Sequence, residues 1–197
     1  MITKGERTRQ YIIERTAQVF STRGYFGSSM SDLMDVTGMQ KGGLYNHFES
    51  KDALALAAFE YSVGLVRERI KAALKPYRKA PDRLLAVIGV FRSLIEEPLL
   101  PGGCPLLNTA VESDDAHPAL RERAQIVMTE WRTTIHTIAR KGIERGELRP
   151  EIDADVVATI LIATLEGAIM MSKLYDDPIH VQRAADYLSV YVRSVIL

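Results

Sequence analysis

Helical periodicity runs through this chain almost without a break, and glycines and prolines cut it into pieces of defined length. Ile13, Ala17 and Phe20 fall at i, i+4 and i+7, giving one apolar stripe to a helix from about residue 7 to residue 22. Gly24 follows where a left-handed cap is expected. Ser29 and Asp32 have the spacing of a capping box and open a short helix through Leu33 and Val36, which Thr37-Gly38 ends. Residues 40–48 read as a third short helix. Ser50 can cap a fourth, with Leu54, Ala57, Ala58, Tyr61 and Leu65 on one face, running to the segment before Pro76. Further breaks stand at 76–81, 97–103, 113–118, 146–150 and 175–178. No stretch alternates with period two long enough to argue for a strand. The pattern predicts an all-α fold: a three-helix N-terminal domain over residues 1–51 and a larger helical domain over 52–197.

Composition narrows the function. Of the 197 residues 47% are apolar, and 25 lysines and arginines balance 25 aspartates and glutamates. Bulk charge therefore gives no argument for nucleic acid; only the placement of cations can. A single cysteine, Cys104, excludes an internal disulfide framework and a Cys-rich zinc site, and fits a reducing cytoplasm. The N-terminus lacks the apolar core of a signal peptide. The most apolar stretch, Val156 to Met171, carries Thr159, Thr164 and Glu166 and falls short of the ~20 residues of a membrane span, so it is expected to be a buried helix. His47, His117, His136 and His180 form no zinc spacing. Asp114, Asp115 and His117 share a loop before Pro118, where such groups serve as helix caps. No nucleophile triad, phosphate loop or paired-carboxylate site stands out, so no enzyme activity, metal or cofactor is predicted.

Residues 28–48 have the parts of a helix-turn-helix. Gly38 can take the positive φ that the turn requires, and Met30, Leu33, Val36, Leu44 and Phe48 are spaced to pack on the first helix. Gln40, Lys41, Gly42, Gly43, Tyr45, Asn46 and His47 are left facing outward. Gln40 and Asn46 carry the paired donor and acceptor that read adenine edges. Gly42 and Gly43 remove bulk where a helix must approach closely. Lys41, Tyr45, His47 and Lys51 can reach phosphates, and Ser28 or Ser29 can offer hydroxyl and backbone donors at a helix start. The same segment also reads as a plain three-helix packing unit with Tyr45 and Phe48 as core aromatics.

Residues 8–54 resemble the N-terminal domain of the TetR family of regulators. The match rests on Arg9, Ile13, Ala17, Phe20, Gly24-Tyr25, Ser28-Ser29-Met30, Asp32-Leu33 and Gly38, and above all on the unbroken run from Lys41 to Leu54. Met34 departs from the alanine usual there, a packing change. The resemblance implies a sequence-specific DNA-binding regulator of double-stranded operator DNA, with Gln40 and Lys41 opening the recognition helix and Tyr45, His47 and Lys51 on phosphates. It implies a homodimer, which the C-terminal helices can supply: the 156–171 stretch is apolar nearly all round, and Val181, Leu188 and Val195 recur every seven residues with Ala185 and Tyr191 or Val192 between. Both helices also read as the core of one subunit. Pairing is favoured because two heads read half-sites ~34–36 Å apart.

In the family a space among the fourth to eighth helices holds an effector. Candidate wall residues are Tyr61, Leu65, Phe91, Leu107, Met128, Trp131, Leu165 and Met170, whose character suits an apolar or aromatic small molecule that releases a repressor from DNA. Each also reads as core filling. Glu166 either holds a polar ligand group or meets a neighbouring side chain. The string from Gly102 to Glu112 resembles a subgroup in which a Gly-Cys pair precedes the sixth helix and some members sense electrophiles or oxidants. Cys104 would there feel a helix dipole from an accessible loop, or be a small buried apolar residue.

Overall fold

The structure is a computed structural model that describes residues 3–197. Nine α-helices are found among the described residues, and no β-strand beyond an isolated bridge between Leu148 and Ile196. In order they are α1 (Lys4–Arg23), α2 (Met30–Thr37), α3 (Lys41–Tyr45), α4 (Lys51–Leu74), α5 (Ala80–Glu96), α6 (Pro105–Ser113), α7 (Pro118–Glu144), α8 (Ala154–Tyr175) and α9 (Ile179–Ser194). The all-α expectation holds. Helix α1 begins three residues earlier than the apolar stripe suggests, because Thr3 and Glu6 form a capping box of their own. There Glu6 donates its N–H to Thr3 Oγ1 at 3.2 Å and Thr3 donates its own to Glu6 Oε2 at 2.7 Å.

The chain divides into two compact units, one formed by the chain up to Leu65 with Leu100–Gln125, the other by Val66–Leu99 with Ile126–Leu197. The core of the first is Ile12 and Ile13 of α1, Leu33 of α2, Leu44 of α3, Phe48 and Leu54. Around it pack Val19, Phe20, Met30, Met34, Met39, Ala57 and Tyr61. Removing one such side chain to alanine costs about 2–5 kcal/mol, enough to unseat a unit this small.

In the second unit α5, α8 and α9 pack on one another. Leu84, Val87, Ile88 and Phe91 of α5 meet Val157, Leu161, Leu165 and Ile169 of α8 and Val181, Ala185, Leu188 and Val192 of α9, all buried. This corrects the sequence reading twice. On α9, Val181 and Leu188 of the seven-residue series lie inside the subunit, Val195 is half-buried just past the helix, and the exposed apolar face is Tyr187 with Val190. Helix α8 is not buried all round: Val156, Ile160, Met170, Met171 and Leu174 stand exposed. At 22 residues α8 is also longer than the apolar run inside it, and by length and composition alone could cross a bilayer. Its packing on α5 and α9, with Glu166 buried on the inner face, gives it the role of a core helix.

Candidate nucleic-acid interface

The candidate reading surface is built by three caps. Gly24 closes α1, with its N–H on Phe20 O at 2.9 Å and φ of 71°. Ser29 caps α2: its Oγ accepts from Asp32 N–H at 3.1 Å, and Asp32 Oδ2 accepts from Ser29 N–H at 2.7 Å. These bonds to Ser29, helped by an ion pair to Arg23, hold the Asp32 carboxyl below the usual carboxylate range. Gly38 then turns the chain at φ 68° and ψ 19°, the left-handed conformation expected of it.

Helix α3 is short. Only Lys41–Tyr45 are α-helical, where the sequence suggests 40–48, because Gly42 and Gly43 weaken propagation and the N-cap residue, Gln40, makes no side-chain capping bond. The remaining turn still holds, with Phe48 N–H on Leu44 O at 3.1 Å. Leu44 and Phe48 anchor the inner side in the core, and the Arg9 guanidinium lies 4.6 Å over the Phe48 ring. Gln40, Lys41, Gly42, Tyr45 and Asn46 are exposed together, with Gly43 and His47 half-buried beside them. A Cβ placed on Gly42 would meet no atom within 4 Å, so the fold itself does not require glycine there.

Other candidates sit differently. Ser28 is buried and its hydroxyl donates to Gly24 O, away from solvent. Ser29 is exposed, but its hydroxyl is engaged with Asp32. The Lys51 ammonium donates to Tyr25 O at 2.6 Å and lies 4.2 Å from the Tyr25 ring centroid. It therefore ties the start of α4 to the turn after α1.

That turn is the feature the sequence did not reveal. The Glu112 carboxylate of α6 accepts from the N–H of both Tyr25 and Phe26, each at 2.7 Å. The Tyr25 hydroxyl donates to Asp52, and the His117 ring meets the Tyr25 ring edge-on at 4.6 Å. His117 Nδ1 accepts from Leu120 N–H at 3.2 Å, a cap at the start of α7. The only available signal was Gly24 before two turn amides; the acceptor lies too far along the chain to be inferred.

The effector candidates are divided between the two units. Tyr61, Leu65, Cys104 and Leu107 belong to the first unit; Phe91, Met128, Trp131, Leu165, Glu166 and Met170 belong to the second. Tyr61 packs on the helix-turn-helix core. Phe91 and Trp131 stack edge-to-face at 5.3 Å, and Leu165 and Glu166 are buried with them in the second unit. Met170 is 54% exposed. Cys104 is 0% exposed, which removes the access expected of a loop thiol; its Sγ accepts from Leu107 N–H at 3.5 Å. A cavity of about 40 Å³ in the first unit is lined by Phe20, Tyr25, Phe59, Asn108 and Glu112 among others, and by none of the candidates.

Comparison with known proteins agrees with this architecture. The family described as "Bacterial regulatory proteins, tetR family" matches residues 12–58, and "Tetracyclin repressor-like, C-terminal domain" matches residues 80–188, more than half of the chain. The chain belongs to the TetR family. Among curated TetR-family relatives, the HTH-type transcriptional repressor DhaR of Mycobacterium sp. (strain GP1) is 31% identical over 167 residues, 84% of this chain and 82% of that protein. A TetR transcriptional regulator from Chloroflexus aurantiacus J-10-FL superposes with a TM-score of 0.94 at 47% identity, covering 98% of each chain. A TetR-family regulator from Cytophaga hutchinsonii gives 0.91 at 36% identity, over 100% of this chain and 98% of that one. This TetR-family chain is thus a transcription regulator with a DNA-binding helix-turn-helix.

Proposed function

We propose that the chain is a cytoplasmic repressor that binds operator DNA as a homodimer and leaves it when a small apolar or aromatic effector binds the C-terminal body. Residues 1–51 are the reading head, and residues 52–197 carry effector binding and pairing. The single observation behind the reading head is the exposed row Gln40, Lys41, Gly42, Tyr45 and Asn46, with open space over Gly42. A side chain at Gly42 is excluded by nothing in the subunit, so the glycine is explained by the approach of a groove wall. The repressor sense follows DhaR, whose name describes it as one. The exposed apolar faces of α8 and α9 support pairing, and the buried Phe91–Trp131 pair supports an effector of aromatic character.

The test is Gly42→Ala, read on a duplex from upstream of the protein's own gene. Alanine raises helix stability by about 0.5–1 kcal/mol. Operator binding is expected to weaken while the melting temperature rises. Unchanged binding would remove the close-approach argument.

A second reading makes modification of Cys104 the release trigger, its sulfur standing at the start of α6 on the Leu107 N–H. Complete burial opposes reagent access, so the effector reading is preferred. Equal release of wild type and Cys104→Ser by an electrophile would eliminate the thiol trigger.

A further inference from the structure

In the second unit, Arg78, Arg83, Lys141 and Arg145 line one recess of about 250 Å³, with Thr137 and Ile138 in its wall. In a chain of formal net charge zero, four cations around one recess need an explanation. Among the described residues no carboxylate lies within 4 Å of the cationic nitrogens of any of them. Of the nearest carboxylates in sequence, Glu144 pairs with Arg140, while Glu147 Oε2 accepts at 2.6 Å from the N–H of Ala80, which itself lines the recess. Asp82 is exposed in the first turn of α5. Arg83 is the fixed member, its guanidinium donating to Leu74 O at 3.4 Å and Tyr77 O at 3.2 Å. The end of the α7 dipole favours Lys141 and Arg145. It does not account for Arg78 and Arg83, which come from before and within α5.

We infer that this recess is a binding site for a small phosphorylated anion. Ile138 is 5% exposed and gives the recess an apolar wall, while Thr137 adds a hydroxyl donor. The volume suits one or two phosphoryl groups and is below the usual range for a drug-sized ligand. Three exposed cations beside one held arginine match an oxyanion with several acceptor edges, since guanidinium and ammonium bonds to phosphate are the strong, charge-assisted kind. None of these residues lies on the helix-turn-helix.

Inorganic pyrophosphate is the probe, titrated calorimetrically into the full chain at constant ionic strength. Saturable binding of one pyrophosphate per chain is expected, weakening as salt is raised. Lys141→Gln and Arg145→Gln should each weaken it about tenfold, the loss of one charge-assisted contact, and the double variant should show no saturable heat. Lys141 and Arg145 are exposed, so both variants should fold, and an unchanged helical circular dichroism signal checks this. The charge-keeping Lys141→Arg should retain binding. A second arm measures the double variant on a random-sequence duplex, because nucleic-acid backbones present the same phosphate chemistry. No saturable pyrophosphate binding, equal heat in wild type and double variant, or a loss confined to duplex affinity would each overturn the assignment.

Discussion

Both oxygens of Glu112 are used on the turn that begins at Tyr25, one on the Tyr25 N–H and the other on the Phe26 N–H, each at 2.7 Å. A helix in the 100–125 segment thereby sets the path of the chain between α1 and α2, and so the place from which the reading helices start. Gly24 is required here for two reasons: its φ is 71°, and a Cβ would collide with the Glu112 carboxylate. Glu112→Ala leaves two turn amides without their charged acceptor. A loss of about 1–3 kcal/mol is expected in urea unfolding, with Glu112→Gln intermediate because an amide accepts through one oxygen only. Stability unchanged in Glu112→Ala would show that water replaces the carboxylate without cost.

Lys41 and Lys51 separate by what holds them. Lys41 is exposed, with its ammonium 5.8 Å from the Tyr45 ring centroid, a loose contact that leaves it available. Lys51 is bonded to Tyr25 O. Lys41→Ala should weaken all duplexes and lower the salt slope by about one while leaving melting unchanged. Lys51→Ala should lower the melting temperature as well. Gln40→Ala, at an exposed amide that makes no capping bond, should instead shift the preference among operators. An equal loss on every sequence would take base reading away from Gln40.

Burial, aided by the bond to Asp52 and by its charge, pushes the Tyr25 phenol up to about 12 from 10.0. The folded chain therefore holds this proton more tightly than the unfolded one. The stability that the protonated phenol contributes is complete below pH 10 and is lost as pH rises toward 12. Phenolate absorbance should show a late phase, to which the burial of Tyr61 also contributes, and Tyr25→Phe should remove the Tyr25 part of it. A late phase unchanged in Tyr25→Phe would contradict the Tyr25–Asp52 contact.

Two glycines test backbone strain against collision. At Gly38 an added Cβ meets nothing within 4 Å, so alanine costs only the left-handed backbone, about 1–2 kcal/mol, and asparagine less. At Gly102, with φ of 104°, the Cβ would strike the backbone carbonyl of Ser21. Gly102→Ala should cost more than Gly38→Ala by thermal unfolding; the reverse order would mean that the 97–104 loop moves aside freely.

What could be read from the sequence was what a few neighbouring residues determine. The Ser29–Asp32 box, the left-handed Gly38 and the stripe through Ile13 each act within one or two turns, and each is in the structure. The reading failed where a partner lay far along the chain or where periodicity had two solutions. Glu112 stands 87 residues from Tyr25, and Lys51 stands 26 from it. Ser28 and Ser29 are both small hydroxyls at a helix start, and only the turn geometry decides that one faces inward. On α9 an apolar repeat shows that a face is buried, not whether its neighbour is α8 of the same subunit or a second chain.

That ambiguity gives the sharpest test of pairing. Val156, Ile160, Met170 and Leu174 are spaced to share one side of α8, each at least 46% exposed, and Tyr187 and Val190 are exposed on α9. A cluster of apolar side chains on adjacent helices is the usual mark of an association surface, and twofold pairing uses the same surface twice. Ile160→Glu places a charge there without touching the inner face that holds Leu161 and Leu165. Sedimentation should give the mass of two chains for wild type and of one for the variant, with helical content retained. Operator affinity should fall steeply because two half-sites are no longer bound as one unit. Val111→Glu, at a more exposed apolar position on α6 in the other unit, should leave the mass unchanged. Wild type that sediments as a single chain, or an Ile160→Glu variant that still sediments as a pair, would move the pairing surface off α8.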